Sequence, residues 1–209
     1  MKKLIILAAI ASFTFVASAQ SDSKATAILN DVSARTKAYK TIHIDFTYTM
    51  ENKKEKINDK FTGSLVSKGD KYKLSIARQD VVCDGKTMWT YLKDANEVQI
   101  NAAGANDDAF TPTKLLTNYT KDYKSKFIEE NATSQFIELY PIAKGKSYTK
   151  VRLSIDKTKK QIQQFVIYDR GGSIFTYNVN KFITDQLIND KEFTFNKADH
   201  PGVSVDDMR

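Results

Sequence analysis

From Ile42 onward the chain alternates. Ile42, Ile44, Phe46, Tyr48 and Met50 are separated by His43, Asp45, Thr47 and Thr49. A period of two sends successive side chains to opposite faces of an extended strand, so this segment reads as a half-buried β-strand. The same rhythm returns between turn signals, and strands are expected at 61–67, 72–76, 81–83, 87–92, 97–100, 134–140, 149–155, 161–169, 173–182 and 192–195. Gly69-Asp70, Asp84-Gly85, Asp94-Ala95-Asn96, Gly145, Asp156-Lys157-Thr158 and Gly171-Gly172 mark the turns, and Asp-Gly is a strong hairpin signal. The polar run Glu51 to Lys60 reads as a loose hairpin tip. Twelve Phe and ten Tyr against three Pro fit a strand-rich chain. The count reaches ten or eleven antiparallel strands, and one sheet of that many must curl.

Helices are few. Ala25, Ile28, Leu29, Val32 and Tyr39 recur at steps of three and four, which predicts an amphipathic helix over 23–39. Residues 101–126 break the strand pattern. Asn101 to Asp108 reads as a loop, and Thr111-Pro112 opens a short helix with Leu115, Leu116 and Tyr119 on its apolar side. So few helices would cover one face of the sheet and enclose an apolar space. No internal repeat or linker divides the chain.

The N-terminus has a different logic. Lys2 and Lys3 precede the apolar run Leu4 to Val16, which ends at Ala17-Ser18-Ala19. A charged start, a short apolar middle and an A-x-A site make a secretory signal peptide over 1–19, leaving one domain at 20–209. The apolar run falls short of the roughly 20 residues a membrane span needs. The mature chain is expected outside the cytoplasm, where ATP is absent. Two of the +7 formal charges lie in the leader. The remaining lysine excess reads as a solvated surface, or as a weak attraction to anionic headgroups. Nucleic acid is not an expected partner, and a monomer is expected. Cys83 is the one cysteine, so no disulfide can form within the chain. It reads as a small buried hydrophobe.

Catalytic signals are missing. There is no HExxH, GxSxG, Walker loop or GxGxxG, and His43 and His200 have no metal-like partner at helical spacing. Asp107-Asp108, Glu129-Glu130 and Asp206-Asp207 are adjacent pairs, whose side chains diverge on an extended chain. No enzyme activity, metal or cofactor is expected. Phe46, Tyr48, Leu65, Tyr72, Leu74, Trp89, Tyr91, Phe165 and Tyr177 remain as candidates for an inner wall. Such residues either pack an ordinary core or line a cavity for something apolar, such as a lipid chain.

Two segments separate those readings. Asp84-Gly85-Lys86-Thr87-Met88-Trp89-Thr90-Tyr91 resembles the DGKTLWxY hairpin of the LolA family, periplasmic carriers of outer-membrane lipoproteins. Phe193-Thr194-Phe195 and Pro201-Gly202-Val203-Ser204-Val205-Asp206-Asp207 resemble the family's FTF…PxGVxVDD ending. Ile42-x-Ile44-x-Phe46 and Gly63-x-Leu65 followed by Tyr72 fit its first strands, in order.

The resemblance implies a mainly β, α+β fold: a curled antiparallel sheet forming an incomplete β-barrel under a lid of short α-helices. It implies a carrier of acylated lipoproteins in the periplasm, loaded by an inner-membrane ATP-driven transporter and emptied onto an outer-membrane acceptor. Ile28, Leu29, Val32, Ile44, Phe46, Tyr48, Leu65, Tyr72, Leu74, Trp89, Tyr91, Leu115, Leu116 and Tyr119 are then the expected cavity and lid residues. The family's Arg-Pro pair after the second strand, whose Arg helps hold the lid shut, is replaced here by Gly69-Asp70. The alternative is a related periplasmic lipid-binding or envelope-sensing module with a different apolar ligand.

Overall fold

The computed structural model describes residues 17–104 and 122–209, with side chains from residue 23. One helix, α1 (Ala17–Ala38), precedes the strands. β1 (Ile42–Asn52), β2 (Ile57–Lys68), β3 (Lys71–Ile76), β4 (Gln79–Cys83), β5 (Thr87–Leu92) and β6 (Glu97–Ala102) form a first meander. β7 (Tyr123–Glu130), β8 (Ser134–Pro141), β9 (Tyr148–Asp156), β10 (Ile162–Asp169) and β11 (Ile174–Thr184) form a second, and β12 (Ser204–Asp207) closes the chain. All belong to one sheet of twelve strands, ordered β12-β6-β5-β4-β3-β2-β1-β11-β10-β9-β8-β7. The meanders meet where β1 pairs with β11, and the sheet stays open, with β12 and β7 at its edges.

The fold class is the expected one, and the differences are local. β7 falls partly in the stretch read as irregular. Its only inward apolar side chains are Tyr123 and Phe127, too few for a clear alternation. Residues 192–195 do not form a strand. Asp190–Phe193 is a 3-10 turn, because the Asn189 side chain accepts from Lys191 N and caps it. The last strand is β12, which runs parallel to β6 rather than antiparallel. The polar tip of the β1–β2 hairpin shrinks to residues 53–56, because Asn52 Oδ1 accepts from Lys54 N and Glu55 N and turns the chain at once. The expected helix over 112–119, with Leu115, Leu116 and Tyr119, lies outside the described residues.

Turn chemistry explains the tight connections. Lys68 pairs with Lys71 around a two-residue turn, where Gly69 has φ 58°. Glycine takes that conformation without a Cβ penalty. In the β4–β5 hairpin, Asp84 Oδ1 accepts from Lys86 N (2.8 Å) and Thr87 N (2.7 Å), while Gly85 has φ 95°.

α1 buries Ala25, Ile28, Leu29, Val32 and Thr36, a single stripe at helical spacing. The stripe joins the core on one sheet face, here called the inner face, and α1 lies against β7. Thr26 Oγ1 lies 3.4 Å from Ser125 Oγ, and Lys24 Nζ sits 3.9 Å from the Phe127 ring centre. Beneath α1 lie Ile137, Leu139, Val151, Leu153 and Ile155, all inaccessible to water. Each such side chain contributes about 1.5–3 kcal/mol of burial.

Over β3–β6 the outer face is covered too, by the chain after β11. Phe193, Val203, Val82 and Val98 are buried apart from the main core. The turn Asp190–Phe193 lies against β3, and Tyr91 packs on Phe195 and His200 at ring distances of 5.7 and 4.3 Å. Ion pairs fasten this strap: Asp190 with Lys68 (2.7 Å) and Lys71 (2.8 Å), and Glu192 with Lys73 (3.6 Å). Hydrogen bonds from Lys68 and then Lys71 hold the Asp190 carboxyl down at about 2, below its ordinary 3.8. A carboxyl depressed in the folded state stabilises fully above its ordinary value and loses that contribution as pH falls through the folded value. The stability difference between wild type and Asp190→Asn should therefore shrink from pH 4 to pH 2. Added salt at pH 7 should shrink it as well, because the pairs are exposed. Thermal unfolding at stepped pH and salt checks both.

Candidate functional site

Strand register turns the inner face into rows, since directly paired residues share a face. One row crosses seven strands: Phe127, Ile137, Leu153, Phe165, Tyr177, Tyr48 and Phe61. Cover changes along it. Ile137 and Leu153 are fully buried, Phe165, Tyr177 and Tyr48 half-buried, and Phe61 is 38% exposed. The uncovered end is aromatic. Phe165 stacks on Tyr177 at 4.3 Å, and Tyr177 meets Tyr48 at 4.8 Å and Phe46 at 5.7 Å. Tyr48 stacks on Phe61 at 6.2 Å and Phe175 at 6.3 Å.

Phe46 owes its place to a glycine. A Cβ on Gly63 would sit 2.5 Å from Phe46 Cζ and 2.8 Å from the Ser75 carbonyl oxygen. Glycine inside a strand here marks the close approach of a ring to the backbone.

The strip is uncharged. Burial raises the hydroxyls of Tyr177 and Tyr48, the latter with help from Asp59, and pushes Tyr72 up to about 12. None of them ionises near neutral pH. The Tyr72 hydroxyl donates to Met88 Sδ at 3.4 Å. Burial likewise raises the Cys83 thiol.

The structure brings most of the expected residues together. Ile28, Leu29 and Val32 form the buried stripe of α1, and Ile44, Phe46, Leu65 and Tyr72 join the same core. Tyr48 and Leu74 are half-buried at its margin. Trp89 and Tyr91 stand apart. Trp89 pairs with Val82, and Val82 with Lys73; Tyr91 pairs with Asp80 and packs on the strap. Both therefore lie on the outer face. Aromatic character does not reveal the face in a sheet covered on both sides. The buried Cys83 pairs with Met88, and that parity would have placed Trp89 outside. Phe61 and Phe175 belong to the strip but escaped the sequence reading. Phe61 follows a polar run, and its role emerges only when β1 and β2 are paired to their tip.

Each histidine is engaged by the fold. His43 Nε2 is 3.0 Å from Asp45 Oδ1, and His200 stacks on Phe195 at 4.6 Å. Among the described residues, no three His, Cys, Asp or Glu side chains gather as metal ligands, and no helix is long and apolar enough to cross a membrane.

An open sheet with one helix packed on its inner face and a neutral aromatic strip across β10, β11, β1 and β2 defines a class of β-scaffold with partly uncovered apolar surface. The chain matches the family described as outer membrane lipoprotein carrier protein LolA over residues 37–196, and it belongs to that family. An outer-membrane lipoprotein carrier protein of Histophilus somni (strain 2336) is 30% identical over 130 residues, covering 62% of this chain and 60% of the relative. The protein of the same name from Wigglesworthia glossinidia brevipalpis is 27% identical over 128 residues, covering 60% and 58%. The similarity thus spans less than two thirds of those relatives' lengths. The crystal structure of an uncharacterized conserved protein from Thermus thermophilus shares the fold, with TM-score 0.56 and 13% identity over 88% of this chain and 99% of that one.

Proposed function

We propose that this chain carries lipoproteins across the periplasm, holding their acyl chains against the inner face between an inner-membrane ATP-driven transporter and an outer-membrane acceptor. The row running from buried Leu153 to exposed Phe61 carries this reading. It offers graded apolar surface with no charge and no chemistry that attacks a lipid.

Each methylene kept from water contributes about 0.8 kcal/mol, so several long chains need tens of kcal/mol of shelter. Release demands that the net grip stay moderate. α1 supplies the counterweight: its stripe rests on the inner face when no cargo is bound, and those contacts are exchanged for acyl contacts on loading. The leader directs export. Cleavage after Ala19 would trim three residues from α1 and leave its stripe from Ala25 intact.

Native mass spectrometry of protein purified from the periplasm tests the reading. The expected result is bound acylated lipoprotein. Protein that emerges empty and also fails to take up a tripalmitoylated cysteinyl peptide would overturn it.

A further inference from the structure

A second inner-face row changes chemistry part-way along. It reads Ile44, Leu65, Leu74 and Val81 across β1–β4, then Thr90 and Gln99 on β5 and β6. The rows on either side end alike. Tyr72, Cys83 and Met88 lead to Asn101; Ile76, Gln79 and Leu92 lead to Glu97. Three rows therefore reach β6 with hydrogen-bonding side chains, all half-buried, and two of them run on to exposed Ser204 and Asp206 of β12, paired with Glu97 and Gln99. Gln99 Nε2 donates to Glu97 Oε1 at 3.1 Å, which ties two of them together.

Neighbouring strands lie about 4.8 Å apart, so Gln99 stands only about 10 Å from Val81. A pure hydrocarbon laid along these rows would strip water from Glu97, Gln99 and Asn101 and return no hydrogen bond, which is unfavourable. An amphiphile fits, with its tail on the apolar part and a polar end on β6. The inner positions of β5 and β6 are Met88, Thr90, Leu92, Glu97, Gln99 and Asn101, with no cation among them to meet a phosphate, while Glu97 and the neighbouring Asp206 of β12 are carboxylates that repel it. Ester carbonyls and peptide amides suit this set.

We infer that the β5–β6 inner ledge, with Thr90 and Gln99 at its centre, recognises the ester and first peptide amides of an acylated peptide and so fixes which way the cargo lies in the site. The inference rests on the carrier reading and adds the orientation of its cargo.

The double variant Thr90→Val, Gln99→Leu tests it with two probes: a tripalmitoylated cysteinyl hexapeptide, and the wholly apolar fluorophore 1-N-phenylnaphthylamine. Affinity for the peptide should fall about tenfold, the cost of one or two hydrogen bonds, while the fluorophore binds as before. Equal losses for both probes, or no loss for the peptide, would overturn the inference. Should the double variant not fold, Asn101→Leu is read by the same split, with the same outcomes. Wild-type protein that takes up neither probe would remove the carrier reading itself, a result distinct from loss of the difference between probes.

Discussion

Replacing Phe193 by alanine should lower stability by about 3–5 kcal/mol, the cost of deleting a fully buried aromatic side chain. Phe193 is wholly inaccessible, although it lies in a 3-10 turn between two loops. It anchors the strap that covers the outer face of β3–β6, alongside buried Val82, Val98 and Val203. A domain of this size has about 5–15 kcal/mol in total, so the loss would be a large fraction of it. Urea unfolding measures it as a lower midpoint. A strap that merely rests on the sheet would give a change within about 0.5 kcal/mol, as surface substitutions do.

Tyr48→Glu should cut affinity for a tripalmitoylated peptide about a hundredfold, near 3 kcal/mol, with the sheet still folded. Tyr48 is the centre of the aromatic strip, touching Tyr177, Phe175 and Phe61. A carboxylate there keeps its water only if the acyl chain stays away. Because Tyr48 is half-buried, the empty protein can hydrate the new charge at its rim. Tyr48→Phe keeps the ring and should bind within twofold of wild type. Titration of the three proteins, with circular dichroism to verify folding, decides the matter. Unchanged affinity in Tyr48→Glu would place the cargo elsewhere.

Much of this architecture was readable from the sequence because local rules and tertiary packing agree. Ile42 to Met50 alternates cleanly since the core takes one face of β1 and the other face is part-open to water. Asp84-Gly85 turns the chain through its own side chain and needs no long-range help. The α1 stripe at 25, 28, 29 and 32 follows from spacing alone. The failures share a cause. β12 exists because it finds β6, a partner far away in the chain, and nothing local announces a parallel strand in Ser204–Asp207. Trp89 and Tyr91 were placed by residue type, whereas their face is decided by register and by a strap that arrives about a hundred residues later. The same holds for the polar ledge, which appears only when six strands are read across rather than along.

The sheet order has a further consequence for how the chain reaches this state. Nearly every strand pairs with its neighbour in sequence; β1 with β11 and β6 with β12 are the exceptions. Loop-closure entropy is therefore concentrated at two junctions, and each meander can zip up by itself. Until β11 arrives, β1 shows a long bare edge rich in Ile, Phe and Tyr, the kind of template on which strange strands nucleate aggregates. Assembly of this protein is most exposed in that interval, when half the sheet is ready and its centre has no partner.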